Sequence, residues 1–168
     1  MEDDLNKTDS EFVKKYKERA MENFYKGYNC TQSVMLAFCD LHHMEEKTSL
    51  LISSSFGGGM GRLREVCGAV SGMFMVAGLL YGYDEPEQYE RKKEHYERIQ
   101  YLAERYREEN GSIVCRELMG LENGKDAPAP SKRTKEYYEK RPCPQLIGMA
   151  AGIMARYIEE HGLTGKIM

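Results

Sequence analysis

The most reactive side chains in this 168-residue chain are its five cysteines, Cys30, Cys39, Cys67, Cys115 and Cys143. A thiolate attacks disulfides or binds metals, whereas a protonated thiol behaves as a small core filler. Four of the five share a context. Cys30 follows Asn29, a good helix N-cap, and Cys67 opens a long glycine-rich apolar stretch. Cys115 stands three residues after Ser112, another cap, and Cys143 precedes Pro144, which disfavours the α region for it and suits the N-cap position. All four are expected at or near helix N-termini, where unpaired N–H groups and the helix dipole stabilise negative charge. Such placement can lower a thiol pKa from about 8.5 to roughly 3.5–7.5.

No two of the four have a CxxC spacing, so any pairing must be made by the fold, and three connectivities are open. Cys39 lies nine residues beyond Cys30, half a turn out of phase and about 13 Å further along a helix. It has i,i+4 metal spacing with His43 but reads as a thiol at the edge of the core. The run Gly57-Gly58-Gly59-Met60-Gly61, followed by Arg62 and Arg64, has the composition of an anion cradle. It lacks the Lys-Ser/Thr of a P-loop and a preceding strand, so a tight turn is the plainer reading. Its arginines would lower the pKa of Cys67 without any ligand. Glu65 is a candidate proton acceptor, more simply a first-turn carboxylate. His42, His43, His95 and His161 lie among charged residues and read as surface groups, and the eleven methionines as core.

These residues must be positioned by helices. Phe12, Tyr16, Ala20, Phe24 and Tyr28 repeat every four residues within a helix over 9–28, capped by Asp9 or Ser10. Helices are further expected over 30–43, 50–56 and 66–83. Another is opened by Asp84-Glu85-Pro86-Glu87 and runs to 109, with Tyr89, Tyr96, Ile99, Ala103 and Tyr106 on its buried side and Asn110-Gly111 as its stop. A short helix follows from Ser112 to Met119. Asn123-Gly124, Pro128 and Pro130 mark 121–142 as a loop, which fits a cover for a site near Cys115 and Cys143 and a plain surface connection equally well, with a short surface helix as an option over 132–140. A final helix spans 144–160. With no competing strand signal, the expectation is an all-α, single-domain bundle of about six to seven helices over 1–168, with 1–8 a disordered tail.

A net charge of −3 and a pI near 5.9 argue against a nucleic-acid partner. The acidic start, Met1-Glu2-Asp3-Asp4, lacks the basic head of a secretory signal, which suggests a cytoplasmic setting where stable disulfides are uncommon. The uncharged run from Val66 to Tyr83 approaches membrane-span length, but its glycines suit a buried central helix better, so no membrane insertion is expected.

Cys67-Gly68-Ala69-Val70-Ser71-Gly72 resembles the CGAxxG signature of the redox-active family named C_GCAxxG_C_C, which has one cysteine before the motif and two after it. Cys30, Cys115 and Cys143 fall in matching order, and the likeness extends over roughly residues 10–160. The resemblance implies that the four thiols work together and names no substrate. The leading expectation is thiol–disulfide oxidoreductase chemistry, with Cys67 attacking a small oxidised substrate or a redox partner protein and a neighbouring cysteine resolving the mixed disulfide. The alternative, without a catalytic nucleophile, is a metal protein in which Cys30, Cys67, Cys115 and Cys143 hold an iron–sulfur cluster or zinc. A third reading is a helical interaction module with inert cysteines. A homo-oligomer is compatible with each.

Overall fold

The computed structural model describes residues 8–122 and 126–163. The tail expected over 1–8 therefore lies, Thr8 apart, outside the described residues, as does the Asn123-Gly124 turn. The protein is all-α, with six helices of seven or more residues among the described residues. Helix α1 (Glu11–Tyr25) starts at Ser10, whose hydroxyl accepts from Val13 N at 3.1 Å, and it buries Val13, Tyr16, Ala20 and Phe24. Helix α2 (Cys30–Ala37) opens on a capping box formed by Asn29 and Gln32.

The helix expected over 30–43 is broken. Phe38 leaves helical geometry, with its ring fully buried and stacked on Tyr16 at 4.4 Å, and a short α3 (Cys39–His42) follows. Tertiary packing of one aromatic ring outweighs local propensity there. Helix α4 (Glu46–Ser53) begins before Leu50 because the Glu45 carboxylate accepts from Lys47 N and Thr48 N. A 3₁₀ turn (Ser54–Phe56) and the Gly57–Met60 turn lead to α5 (Gly68–Tyr81).

Helix α5 is the centre of the bundle. It packs on α2, on α6 (Tyr89–Asn110) and on α9 (Cys143–His161), while α1 packs on α9 and α2. The core joins Tyr16, Phe24, Phe38, Met73, Ile147 and Met154. Burying each such side chain contributes about 1.5–3 kcal/mol, set against the entropy of ordering the chain. Close approach of α2 to α5 depends on Gly68: a Cβ there would lie 2.9 Å from Thr31 Oγ1 and 3.0 Å from Cys30 Cβ. Among the described residues no helix is long and apolar enough to cross a membrane.

Helix α6 departs from expectation on its buried side. Leu102 and Tyr106 are its buried residues, whereas Tyr89 and Tyr96 are exposed. The apolar period is real, but only the second half of this 22-residue helix has a core to meet. The described residues contain no strand; an isolated antiparallel bridge pairs Val66 with Val114. Short helices α7 (Cys115–Leu118) and α8 (Lys135–Lys140) complete the described elements.

Candidate functional site

Four helix starts converge on one cavity of about 270 Å3, and all four cysteines of the motif line it. Cys30 is the first residue of α2, Cys67 is the N-cap of α5, Cys115 is the first residue of α7, and Cys143 is the first of α9. Two placements differ from expectation in detail. Ser112 does not cap α7; its hydroxyl accepts from Val114 N, and Val114 is the cap. Cys143 is helical, with Pro142 ahead of it as the cap, so the pre-proline bias is overridden inside the first turn.

The Val66–Val114 bridge joins two of the thiols. Cys67 N donates to Ile113 O at 2.8 Å and Cys115 N to Glu65 O at 2.6 Å, on either side of the bridged pair. Alternate residues of a strand share a face, so Cys67 and Cys115 turn to the same side. Gly59 makes room for that arrangement. Its φ is +66°, and a Cβ there would stand 2.6 Å from Cys115 Cβ. Met60, Arg62 and Arg64 share the left-handed region, at φ 63°, 68° and 61°. This conformation is costly for L-residues, and the segment is tied by Gly61 N to Gly57 O and Glu65 N to Gly59 O.

The loop after α7 closes the other side. Asp126 accepts from Arg62 Nη2 at 2.9 Å and Arg64 Nη2 at 2.6 Å, and Arg62 Nε donates to Ala127 O. Further on, Arg133 donates to Tyr28 O and lies over the Phe24 ring at 4.4 Å, and Arg141 lies over Tyr137 at 4.5 Å. Pro128, Pro130, Arg133 and Arg141 all line the cavity, so this part of the segment borders the cysteines.

The four thiols are not equivalent. Cys67 is 5 % exposed, and burial pushes it up to about 11 even though the amides of Ala69 and Val70 and the Tyr106 hydroxyl, 3.9 Å away, favour its thiolate. Burial also raises Cys115, against Arg64, whose Nη1 donates to its sulfur at 3.6 Å. Cys30 and Cys143 are half-buried, and each shifts the ionisation of the other. The Cys143 sulfur lies 3.7 Å from Met119 Sδ, and the Cys30 thiol together with Arg141, Arg133 and Arg64 holds Cys143 down at about 7, against desolvation. Cys30 is held well above the usual thiol range by Cys143 and by desolvation.

The arginine effect expected on Cys67 therefore acts elsewhere. Arg64 reaches Cys115 and helps Cys143, while Arg62 is spent on the loop. The Glu65 carboxylate pairs with Arg116 at 3.0 Å and does not line the cavity. His42 is a correction as well: it is 7 % exposed, with Nε2 3.0 Å from Met35 O and Nδ1 accepting from Met44 N. Cys39 turns to that same Met35 carbonyl, away from the cavity. Among the described residues no three His, Cys, Asp or Glu side chains are grouped so as to hold a metal ion.

Arg133, Arg141, Asp126 and Tyr106 are site residues that sequence reasoning missed. Arg141, two positions before Cys143, was the one with a local signal.

Fold and site together define an all-helical protein with four cysteines gathered at helix starts. Residues 28–157 match the family model described as "Putative redox-active protein (C_GCAxxG_C_C)". The chain belongs to this redox-active family. No curated protein and no solved structure matches it.

Proposed function

We propose that the protein is a thiol–disulfide oxidoreductase in which Cys143 is the nucleophile and Cys30 the resolving thiol. The observation that carries this reading is the convergence of Cys143 and Cys30, with the other two thiols, on one cavity lined by Arg64, Arg133 and Arg141, whose charge favours a Cys143 thiolate. An attacking thiol works best with a pKa near ambient pH. The downward shift raises the thiolate share of Cys143 at pH 7 above the few per cent of an ordinary cysteine.

The Cys143 thiolate attacks one sulfur of a small disulfide, forming a mixed disulfide and expelling the other half as a thiolate. Cys30 then loses its proton and attacks the Cys143 sulfur. The Cys30–Cys143 disulfide forms and the second half leaves as a thiol. The protein dithiol is oxidised by two electrons and the substrate disulfide is reduced by two.

Cys67 and Cys115, both buried and protonated, would serve as a second dithiol behind the first. The four-thiolate metal alternative would require the side chains to regroup around one centre, since no three of the described ligand-type residues do so.

Alkylation of the reduced protein with iodoacetamide from pH 5 to 10, read cysteine by cysteine by mass spectrometry, tests the assignment. Cys143 is expected to react fastest, with its rate half-maximal near pH 7, and mild oxidation should join it to Cys30. Half-maximal reaction at an ordinary thiol pKa or above, or a first disulfide that leaves out Cys143, would overturn it.

A further inference from the structure

The thiol cavity carries more positive charge than its protein groups neutralise. Arg62, Arg64, Arg133 and Arg141 all line it. Asp126 is the carboxylate that pairs with Arg62 and Arg64, and among the described residues Arg133 and Arg141 have no ion-pair partner. With one thiolate counted at Cys143, an excess of about two positive charges remains.

Two of these guanidinium groups are also incompletely bonded. Arg64 is 2 % exposed; its Nη2 binds Asp126 and its Nη1 donates to Cys115, but its buried Nε has no hydrogen-bond partner. Arg133 uses Nη2 on Tyr28 O, while its buried Nη1 is unpartnered. Leaving a buried donor unpaired costs about 1–3 kcal/mol, more on a charged group, and both arginines line the same cavity, so an acceptor that enters it and draws these N–H groups out to itself would be stabilised. Guanidinium forks match the planar geometry of a carboxylate.

We propose that the cavity binds its substrate through a carboxylate held by Arg64 and Arg133, so that the substrate class is a small carboxylate-bearing disulfide. This rests on the thiol–disulfide reading above. A cavity of about 270 Å3 lies just below the usual size range of small-molecule pockets. The apolar lining of Phe24, Leu146 and Ile147 suits a short methylene spacer between the carboxylate and the sulfur. The carboxylate brings the substrate's sulfur to Cys143, and the bonds exchanged are those already given.

Binding and chemistry are testable separately. Adipate, an unreactive analogue of dithiodiglycolate with two methylenes in place of the sulfurs, is titrated into the reduced full-length protein by calorimetry. It should bind while neutral hexane-1,6-diol binds at least tenfold more weakly. Arg133→Gln should lose at least tenfold in adipate affinity, and the surface change Arg105→Gln should lose none. Equal binding of acid and diol, no adipate binding, or inorganic phosphate binding tenfold tighter than adipate would each overturn the proposal.

In the kinetic arm, dithiodiglycolate should oxidise the Cys30–Cys143 pair at least tenfold faster than bis(2-hydroxyethyl) disulfide, with adipate competing. Equal rates would defeat the carboxylate proposal and leave the thiol chemistry standing. Adipate binding with no oxidation by either disulfide would defeat the thiol chemistry and leave the anion site standing.

Discussion

Replacing Gly59 with alanine probes whether the glycine turn positions Cys115. Gly59 has φ +66°, where an L-residue is strained by about 1–2 kcal/mol, partly offset by about 0.4–1 kcal/mol because alanine narrows the unfolded ensemble. That much is common to any such glycine. Gly59 adds a steric cost: its new Cβ would stand 2.6 Å from Cys115 Cβ and 3.0 Å from both Arg64 Cα and Glu65 N. Two of those three atoms are backbone and cannot swing away, so overpacking of about 1–3 kcal/mol follows. Gly120 is the internal control, with φ +63° and nothing within 4 Å of an added Cβ.

Gly59→Ala is therefore expected to cost about 2–4 kcal/mol and Gly120→Ala about 1 kcal/mol or less. Urea denaturation resolves the difference as a midpoint separation on the order of 1 M, given slopes of roughly 1–3 kcal/mol per M. Cys115 in the Gly59→Ala protein should also alkylate faster, since displacing it opens its burial. Equal costs at the two positions would refute the packing of Cys115 against this turn.

Further outcomes follow from the same geometry. Cys67 has a folded-state pKa of about 11, raised above its unfolded value, so the folded state keeps a proton that the unfolded chain releases. The resulting stability is complete below about pH 8.5 and falls as pH rises towards 11, by on the order of 3 kcal/mol. Denaturation midpoints at pH 8 and pH 10.5 should show this loss in wild type and a smaller one in Cys67→Ala; identical slopes would contradict it. Asp126→Asn removes the carboxylate that Arg62 and Arg64 share, which should free the loop after α7. Limited trypsin digestion should then cut at Lys132 or Arg133 several-fold faster than in wild type, and an unchanged rate would show that the loop is held by other contacts.

How legible the protein was in its sequence depends on the range of the interactions. Ser10 and Asn29 act as caps, and Gly111 and Gly162 close α6 and α9 as expected, because caps and stops are satisfied within a few residues. The break at Phe38 was not legible: it depends on Tyr16, and a ring stack between separate helices leaves no local pattern. Tyr89 and Tyr96 failed for the same reason, since periodicity marks a helix face without saying how much of it meets a core. His42 lies among charged residues in sequence, and only the fold turns it to the Met35 carbonyl.

For the site, residue order along the chain set Cys30 directly after the Asn29 cap and brought the other three thiols close to helix starts, although the caps of α7 and α9 are Val114 and Pro142. It also placed Arg141 near Cys143. What the tertiary structure alone decided is the direction in which each thiol's ionisation is shifted. Cys67 and Cys143 both stand at helix starts, yet burial drives one up to about 11, while the Cys30 thiol and three arginines hold the other near 7. Charge and desolvation act through space over a few ångströms, and Arg64, Arg133 and Cys30 reach Cys143 from segments that chain order keeps far apart.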